Sequence, residues 1–215
     1  MRRSSVPFVA ALVAGSLFLL ASCKDSRGLP SKLPYYVSSD FTPVWERAKG
    51  ETHRVAPFAY IDQDGMPVTE KTFEGRVYVA NYFFTACPGI CPRTSANLAK
   101  IQAVFRDDAR VLLLSHSVTP EDDSVPILKQ YAAKHGAISG KWFLVTGSRQ
   151  AIYAAARSSY FADEAGAVTG NPDDFLHTEK MFLVDGGGHL RGVYNGVLPA
   201  EMKRLEEDIR TLLGE

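Results

Sequence analysis

The chain has 215 residues, 46% of them apolar, and its 24 basic and 24 acidic side chains balance to a formal charge of zero. That composition suits one or two globular domains with a real core. With no basic excess and no Lys/Arg run it excludes an electrostatically driven nucleic-acid binder, and it contains no fixed-period repeat or low-complexity tract.

The first 22 residues stand apart from the rest. Arg2 and Arg3 precede an apolar run from Val6 to Ala21, and small residues follow, which is the three-part layout of a secretory signal. The run is shorter than the roughly 20 apolar residues that a spanning helix needs. Its end, "LASC" at Leu20–Cys23, resembles the lipobox of bacterial lipoproteins. That resemblance implies cleavage before Cys23, lipid on its sulfur, and a mature chain tethered to a membrane of the bacterial cell envelope on its extracytoplasmic side. Each buried lipid methylene contributes about 0.8 kcal/mol to such an anchor. Loss of Arg2 and Arg3 leaves 22 basic residues against 24 acidic ones, a formal charge of −2.

Residues 23–52 read as a tether and lead-in. "KDSRGLPSKLPYY" is polar and broken by Pro and Gly, with no helical or alternating pattern, and "FTPVWERA" is a candidate edge strand or docking segment. A domain at 53–215 follows, in which strands and helices alternate. "FAYIDQDGMPVT" reads as a hairpin around Asp64-Gly65, and "RVYVANYFF" as a buried central strand. "RTSANLAKIQAVF" puts Leu98, Ile101 and Phe105 at helical spacing. "RVLLLSHSV" is a second buried strand, "SVPILKQYAAKHG" a helix stopped by Gly136, "WFLVTG" a third strand and "RQAIYAAARSSYF" a third helix. "KMFLVDGGGHLRGVYNG" predicts a hairpin turning at Gly186–Gly188, and the chain closes on a helix whose apolar face is Met202, Leu205, Ile209 and Leu212. This order predicts an α/β, thioredoxin-like fold. A central mixed sheet is flanked by helices, with an N-terminal hairpin and a C-terminal β-hairpin plus helix.

The chain has three cysteines. With Cys23 lipidated, Cys87 and Cys91 in "NYFFTACPGICPRTSANL" are the sole pair, so no disulfide framework is available. They follow the first central strand and precede a helix, where open α/β sheets carry their chemistry. A helix amino terminus offers free N–H groups and partial positive charge, which lower thiol pKa values, and Pro92 suits a first turn. Thioredoxin motifs have two residues between the cysteines, whereas Pro88, Gly89 and Ile90 stand between these. The pair therefore invites disulfide chemistry or a soft metal, copper(I) or zinc. Two thiolates make an incomplete metal site, so a third ligand is expected.

Five histidines are available for it. His53 in the lead-in, His135 ending a helix and His189 beyond the glycines read as surface or capping residues. His116 follows "VLLLS" at the cysteine end of the sheet and reads as structural or as support for a ligand. His177 in "DDFLHTEKMFLVD" is the candidate ligand. It lies just before the strand starting near Met181, in the place where thioredoxins carry a cis-proline, and this segment has no proline between Asp173 and Val184.

Three stretches, "FFTACPGICPRTSANL", "SHSVTPEDDSVPILKQYA" and "FLHTEKMFLVDGGGHLRG", resemble the Sco/SenC proteins, and the resemblance runs from about Pro57 to Leu213. It implies a thioredoxin-like fold and a membrane-tethered copper chaperone that carries copper to the binuclear copper centre of cytochrome c oxidase. It also implies that Cys87, Cys91 and His177 bind the metal. Many members read S-V-D-P-E-R-D-T where this chain has Thr119 for the first Asp and Asp122 for the Arg, and the usual D-P-x-G turn is Asp185-Gly186-Gly187-Gly188. The expected partners are a copper-accepting oxidase subunit, a thiol reductant and, through the lipid, a membrane. The competing expectation uses the same residues differently: an extracytoplasmic thiol–disulfide oxidoreductase in which one of Cys87 and Cys91 attacks an acceptor and the other resolves.

Overall fold

The computed structural model describes residues 1, 32–46, 53–162 and 178–215. The signal run, Cys23 and His177 lie outside the described residues. In chain order the elements are β1 (Tyr35–Tyr36), β2 (Pro43–Val44), β3 (Ala59–Asp62), β4 (Pro67–Thr69), a 3-10 turn (Glu70–Thr72), β5 (Val77–Phe83), α1 (Ile90–Val104), β6 (Val111–Ser117), α2 (Val125–His135), β7 (Trp142–Thr146), α3 (Arg149–Ser158), β8 (Lys180–Val184), β9 (Leu190–Asn195) and α4 (Pro199–Gly214).

Every residue of β5 and β6 is buried, as expected of near-continuous apolar runs covered on both faces. These two strands and β7 run parallel, and β3 and β8 close the parallel core with antiparallel partners on either side. The sheet order is β4-β3-β7-β6-β5-β8-β9, a mixed seven-stranded sheet. Both expected hairpins form, β3–β4 and β8–β9. The second turns at Asp185–Gly188. There a side-chain carbon on Gly186 would lie 2.8 Å from the Gly75 backbone, so only glycine fits the close approach. Sequence signals end the helices where they should. Gly136 stops α2 in the left-handed conformation, and the Ser148 hydroxyl accepts from Ala151 N at the start of α3.

Alternation along each strand sorts the core into two faces. Val79, Leu113, Leu144 and Leu183 turn to one side and pack with α1, α2 and α4, including Leu98, Leu128, Leu205 and Ile209. Tyr78, Ala80, Leu114 and Val145 turn to the other, where Ile152, Tyr153 and Ala156 of α3 cover them. This two-faced arrangement is thioredoxin-like. Among the described residues no helix is long and apolar enough to cross a membrane.

Part of the lead-in differs from the patternless tether expected: Tyr35–Tyr36 of "KDSRGLPSKLPYY" form β1. Its partner β2 lies in "FTPVWERA", the candidate edge strand or docking segment, and within 32–46 the two strands pair and the segment docks on the domain. Its anchor is Arg191, with its side chain only 4% exposed. The guanidinium pairs with Asp185 at 3.0 Å and Glu215 at 2.8 Å, and it donates to the carbonyls of Leu33 at 2.7 Å and Pro34 at 3.1 Å. Tyr35 covers it at 4.2 Å. These bonds depend on chain partners more than 150 residues away, so a local pattern does not announce them. Phe41 packs its ring against Phe161 and Phe182 on the α3 side of the sheet.

His116 lies at the expected end of the sheet, opposite Tyr82 in the β5–β6 register, but on the α3 face, away from the cysteines. It is 0% exposed, stacks on Tyr82 at 4.7 Å, and meets Tyr60 and Tyr160 edge-on at 5.5 and 5.6 Å. Its Nδ1–H donates to the Asn81 carbonyl at 3.2 Å, and among the described residues Nε2 has no hydrogen-bond partner. Burial lowers its pKa to about 4, although the Asn81 bond works the other way. The unfolded chain therefore takes up a proton below about pH 6.5, whereas the folded chain resists it until about pH 4. Stability should fall as pH drops through that window, by about 3 kcal/mol from this residue. His116→Phe should lose less stability than the native chain between pH 7.5 and pH 4.5 in urea unfolding. An equal acid loss in both would remove His116 as the cause.

Candidate metal centre

The parallel ladder between β5 and β6 ends when Val118 N donates to Phe83 O at 2.8 Å, and beyond that bond the chain leaves the sheet. It makes one turn, closed by Cys87 N donating to Phe84 O at 3.3 Å, and enters α1 with Gly89 at the N-cap. Cys91 is thus the second residue of the helix and Cys87 lies in the turn before it, as the spacing predicts. Both thiols are free and buried, Cys87 at 9% and Cys91 at 4% exposure.

Their surroundings differ. Burial opposes ionisation of Cys87, but its sulfur receives the backbone N–H of Cys91, the Cys91 thiol, and the N–H groups of Gly89 and Ile90, and these together bring its pKa down. Cys91 is deeper, and burial pushes its thiol up. The Phe84 N–H works against that rise, while the neighbouring Cys87 sulfur adds to it. Free N–H groups at a helix start are those that no intrahelical carbonyl can satisfy, so this sulfur fills a place that water or an anion would otherwise take. Beneath the pair, Tyr131 of α2 exchanges a 2.9 Å hydrogen bond with Ser95 and packs on Phe83 at 5.1 Å. Among the described residues, a side-chain carbon built on Gly89 meets nothing within 4 Å.

Of the other expected residues, His53 bonds the Ser159 carbonyl at 3.1 Å and stacks on Phe161 at 4.5 Å. His189 bonds the His53 carbonyl at 2.9 Å beside the Asp185 turn, at the opposite end of β5 from the cysteines. His135 ends α2, and its ring packs at a tilt on Tyr131 at 4.3 Å. Burial and the adjacent Lys134 lower its pKa from the ordinary imidazole value. Among the described residues no three His, Cys, Asp or Glu side chains converge as a metal site.

Sequence reasoning did not single out two groups that shape this end of the molecule. Asp123, 1% exposed, turns into the cysteine loop and accepts from Thr85. Three consecutive acidic residues at 121–123 carry no sign of which one folds inward. Asn97 of α1 donates to Gly196 O at 2.8 Å, and Gly196 N donates to Glu179 O at 2.7 Å. Those bonds tie the cysteine helix to the start of β8, the strand that follows position 177. A side-chain carbon on Gly196 would crowd the Glu179 carbonyl at 2.9 Å, which is why glycine stands there.

Fold and site together define a thioredoxin-like domain with an asymmetric dithiol at a helix amino terminus. The SCO1/SenC family model matches residues 46–214, so the chain belongs to the SCO1/SenC family. Three solved structures are similar to it. One is a SCO1/SenC family lipoprotein from Bacillus anthracis, 27% identical with a TM-score of 0.64, covering 74% of this chain and 95% of that one. Another is BsSco, described as a member of the Sco family of cytochrome c oxidase assembly proteins with a disulfide switch. It is 29% identical with a TM-score of 0.63, covering 74% of this chain and 93% of that one. The third is copper-bound ScoI from Arabidopsis thaliana, 26% identical with a TM-score of 0.56, covering 74% of this chain and 99% of that one.

The contrast between the two thiols has a direct test. In the reduced protein at pH 7, iodoacetamide should label Cys87 well before Cys91, and the Cys87 rate should reach its plateau below the pH of an ordinary thiol. Peptide mapping by mass spectrometry reads both, and faster labelling of Cys91 would refute the assignment.

Proposed function

We propose that this chain is an extracytoplasmic, membrane-anchored copper-binding protein that delivers copper to the binuclear copper site of a cytochrome c oxidase. Cys87 and Cys91 are two of its copper donors and His177 is the third. Cys23 carries the lipid, with 1–22 as the cleaved signal, 23–52 as the lead-in and 53–215 as the copper-binding domain. The observation that carries this reading is the juxtaposed pair of reduced thiols at the start of α1, one of them favoured as thiolate. Membership of a family with copper-bound members and oxidase-assembly members gives it a biological frame.

The donor set fits the metal. Thiolate sulfur suits copper(I), and thiolates with one imidazole also accommodate copper(II). The case for His177 rests on its neighbours. Thr178–Lys180 lead into β8 at the carboxyl end of β5, and Asn97 holds that corner to the cysteine helix through Gly196 and Glu179. Cargo must leave as well as bind, and among the described residues none crowds Gly89, which favours a route there for an acceptor's donor atoms. The lipid reading is supported by the lipobox-like "LASC" and by the similarity to the Bacillus anthracis lipoprotein.

The unequal thiols favour a second use of the same pair. Cys87 as thiolate attacks an acceptor disulfide to form a mixed disulfide. Cys91, losing its proton, then attacks the Cys87 sulfur and releases the acceptor as a dithiol. The chain is left with a Cys87–Cys91 disulfide, which an external thiol reductant must reopen. Copper and disulfide compete for the same sulfurs, so metal loading and redox state are coupled.

Titration of the full-length chain in detergent separates the readings. The reduced protein should take up about one copper per chain, with a sulfur-to-copper(II) charge-transfer band, and the oxidised protein should take up none. Cys87→Ser and Cys91→Ser should abolish tight binding, and His177→Ala should weaken the band. A His177→Ala protein with native copper binding but a shifted disulfide potential would favour the oxidoreductase. Retention of both copper binding and thiol exchange in Cys87→Ser would end both readings.

A further inference from the structure

We propose that Asp123 is a positioning residue for the dithiol: through Thr85 it pins the loop that carries Cys87 to the end of β6. The idea deepens the copper reading, on which its metal-binding readout rests.

Asp123 sits directly before Ser124, the N-cap residue of α2, and its side chain turns back to the cysteine loop. Its oxygens accept from Thr85 N at 3.3 Å, Thr85 Oγ1 at 2.5 Å, Ser117 Oγ at 2.5 Å and Thr119 Oγ1 at 3.2 Å. Among the described residues no cation pairs with it, although it is 1% exposed. A buried carboxylate is costly unless its lone pairs are filled, and here hydroxyls and one backbone N–H fill them. The turn that delivers it is itself braced, because Asp122 N and Asp123 N both donate to Thr119 O, at 3.0 and 2.9 Å.

What this network grips is the root of the cysteine loop. Phe83 is the last residue of β5 whose carbonyl joins the ladder. Thr85 is two residues further on, off the sheet, and its N–H donates to Asp123 in place of a strand neighbour. Cys87 follows two residues later. Its sulfur reaches the N–H groups of α1 only while the loop stays folded back on Phe84. The loop is therefore held at both ends, by α1 on one side and by a charge-assisted bond to another loop on the other. Hydrogen bonds to a charged group are the stronger kind, which suits a contact that must hold a short turn in one geometry. Release of Thr85 leaves the turn held by the Cys87–Phe84 bond and the helix alone, and lowers the effective concentration of one sulfur about the other.

The test uses full-length protein in detergent with Thr85→Val, Asp123→Asn, the double variant and Ile152→Ala. Ile152 is a fully buried residue of α3 on the opposite face, and its truncation controls for general loss of stability. The equilibrium constant for closing the Cys87–Cys91 disulfide with oxidised glutathione should fall about tenfold in each loop variant. Copper(I) affinity, read by competition with a chelator, should fall with it. The double variant should be no worse than the poorer single one, because both remove one contact. Ile152→Ala should lose stability and leave both readouts at native values. Thr85→Val leaves Asp123 its bonds to Ser117 and Thr119, so it still reads the contact where Asp123→Asn fails to fold. Native glutathione equilibrium in Thr85→Val, additive losses in the double variant, or an equal loss in Ile152→Ala would each overturn the proposal. If the native chain binds no copper, the copper reading fails, while the glutathione equilibrium still decides the role of Asp123.

Discussion

One sulfur at the mouth of a helix organises this molecule. A strand buried on both faces has to leave the sheet at its carboxyl end, and α1 begins one turn later. The N–H groups of that first turn have no carbonyl partners of their own, and the Cys87 sulfur takes them. The same turn carries Cys91 into the interior, where burial and its neighbour keep it protonated. Two identical side chains four residues apart thereby acquire opposite tendencies. That difference, more than the mere presence of two thiols, equips the pair for metal exchange or for an ordered disulfide reaction.

The sheet then divides the work. The face with α1, α2 and α4 holds the cysteines over an apolar bed that includes Phe83, Leu98 and Tyr131. The opposite face holds His116 among Tyr60, Tyr82 and Tyr160, an imidazole kept neutral by its surroundings. Although His116 and the cysteines share one end of the sheet, a parity of one residue along β6 puts the sheet itself between them. Arg191 closes the other end. Its guanidinium gathers Asp185, Glu215 and the carbonyls of Leu33 and Pro34, so the described lead-in joins the domain at the pole away from the thiols. β5 alone separates the two poles by roughly 20 Å.

Around the dithiol, Tyr131 of α2 bonds Ser95 of α1 and Asp123 bonds Thr85 in the turn. Among the described residues, nothing lies within 4 Å of a side-chain carbon built on Gly89. Membership of the SCO1/SenC family is consistent with that arrangement.

Much of this was legible from residue order alone. Runs such as "RVYVANYFF" and "RVLLLSHSV" carry short, dense apolar stretches of the length and composition of buried central strands, and Leu98, Ile101 and Phe105 announce their helix by spacing. Glycines at 136 and 186–188 mark their turns because few other residues fit there. The two cysteines stand out as the candidate site because they are the only cysteines after Cys23. The rest needed the third dimension. Periodicity cannot say that Arg191 reaches back across more than 150 residues to Leu33, or which of Glu121, Asp122 and Asp123 turns inward to hold Thr85. Nor can it say that His116 faces away from the thiols. Local pattern encodes what a residue does to its own segment. Hydrogen bonds and burial between distant segments are settled only when the sheet brings them together.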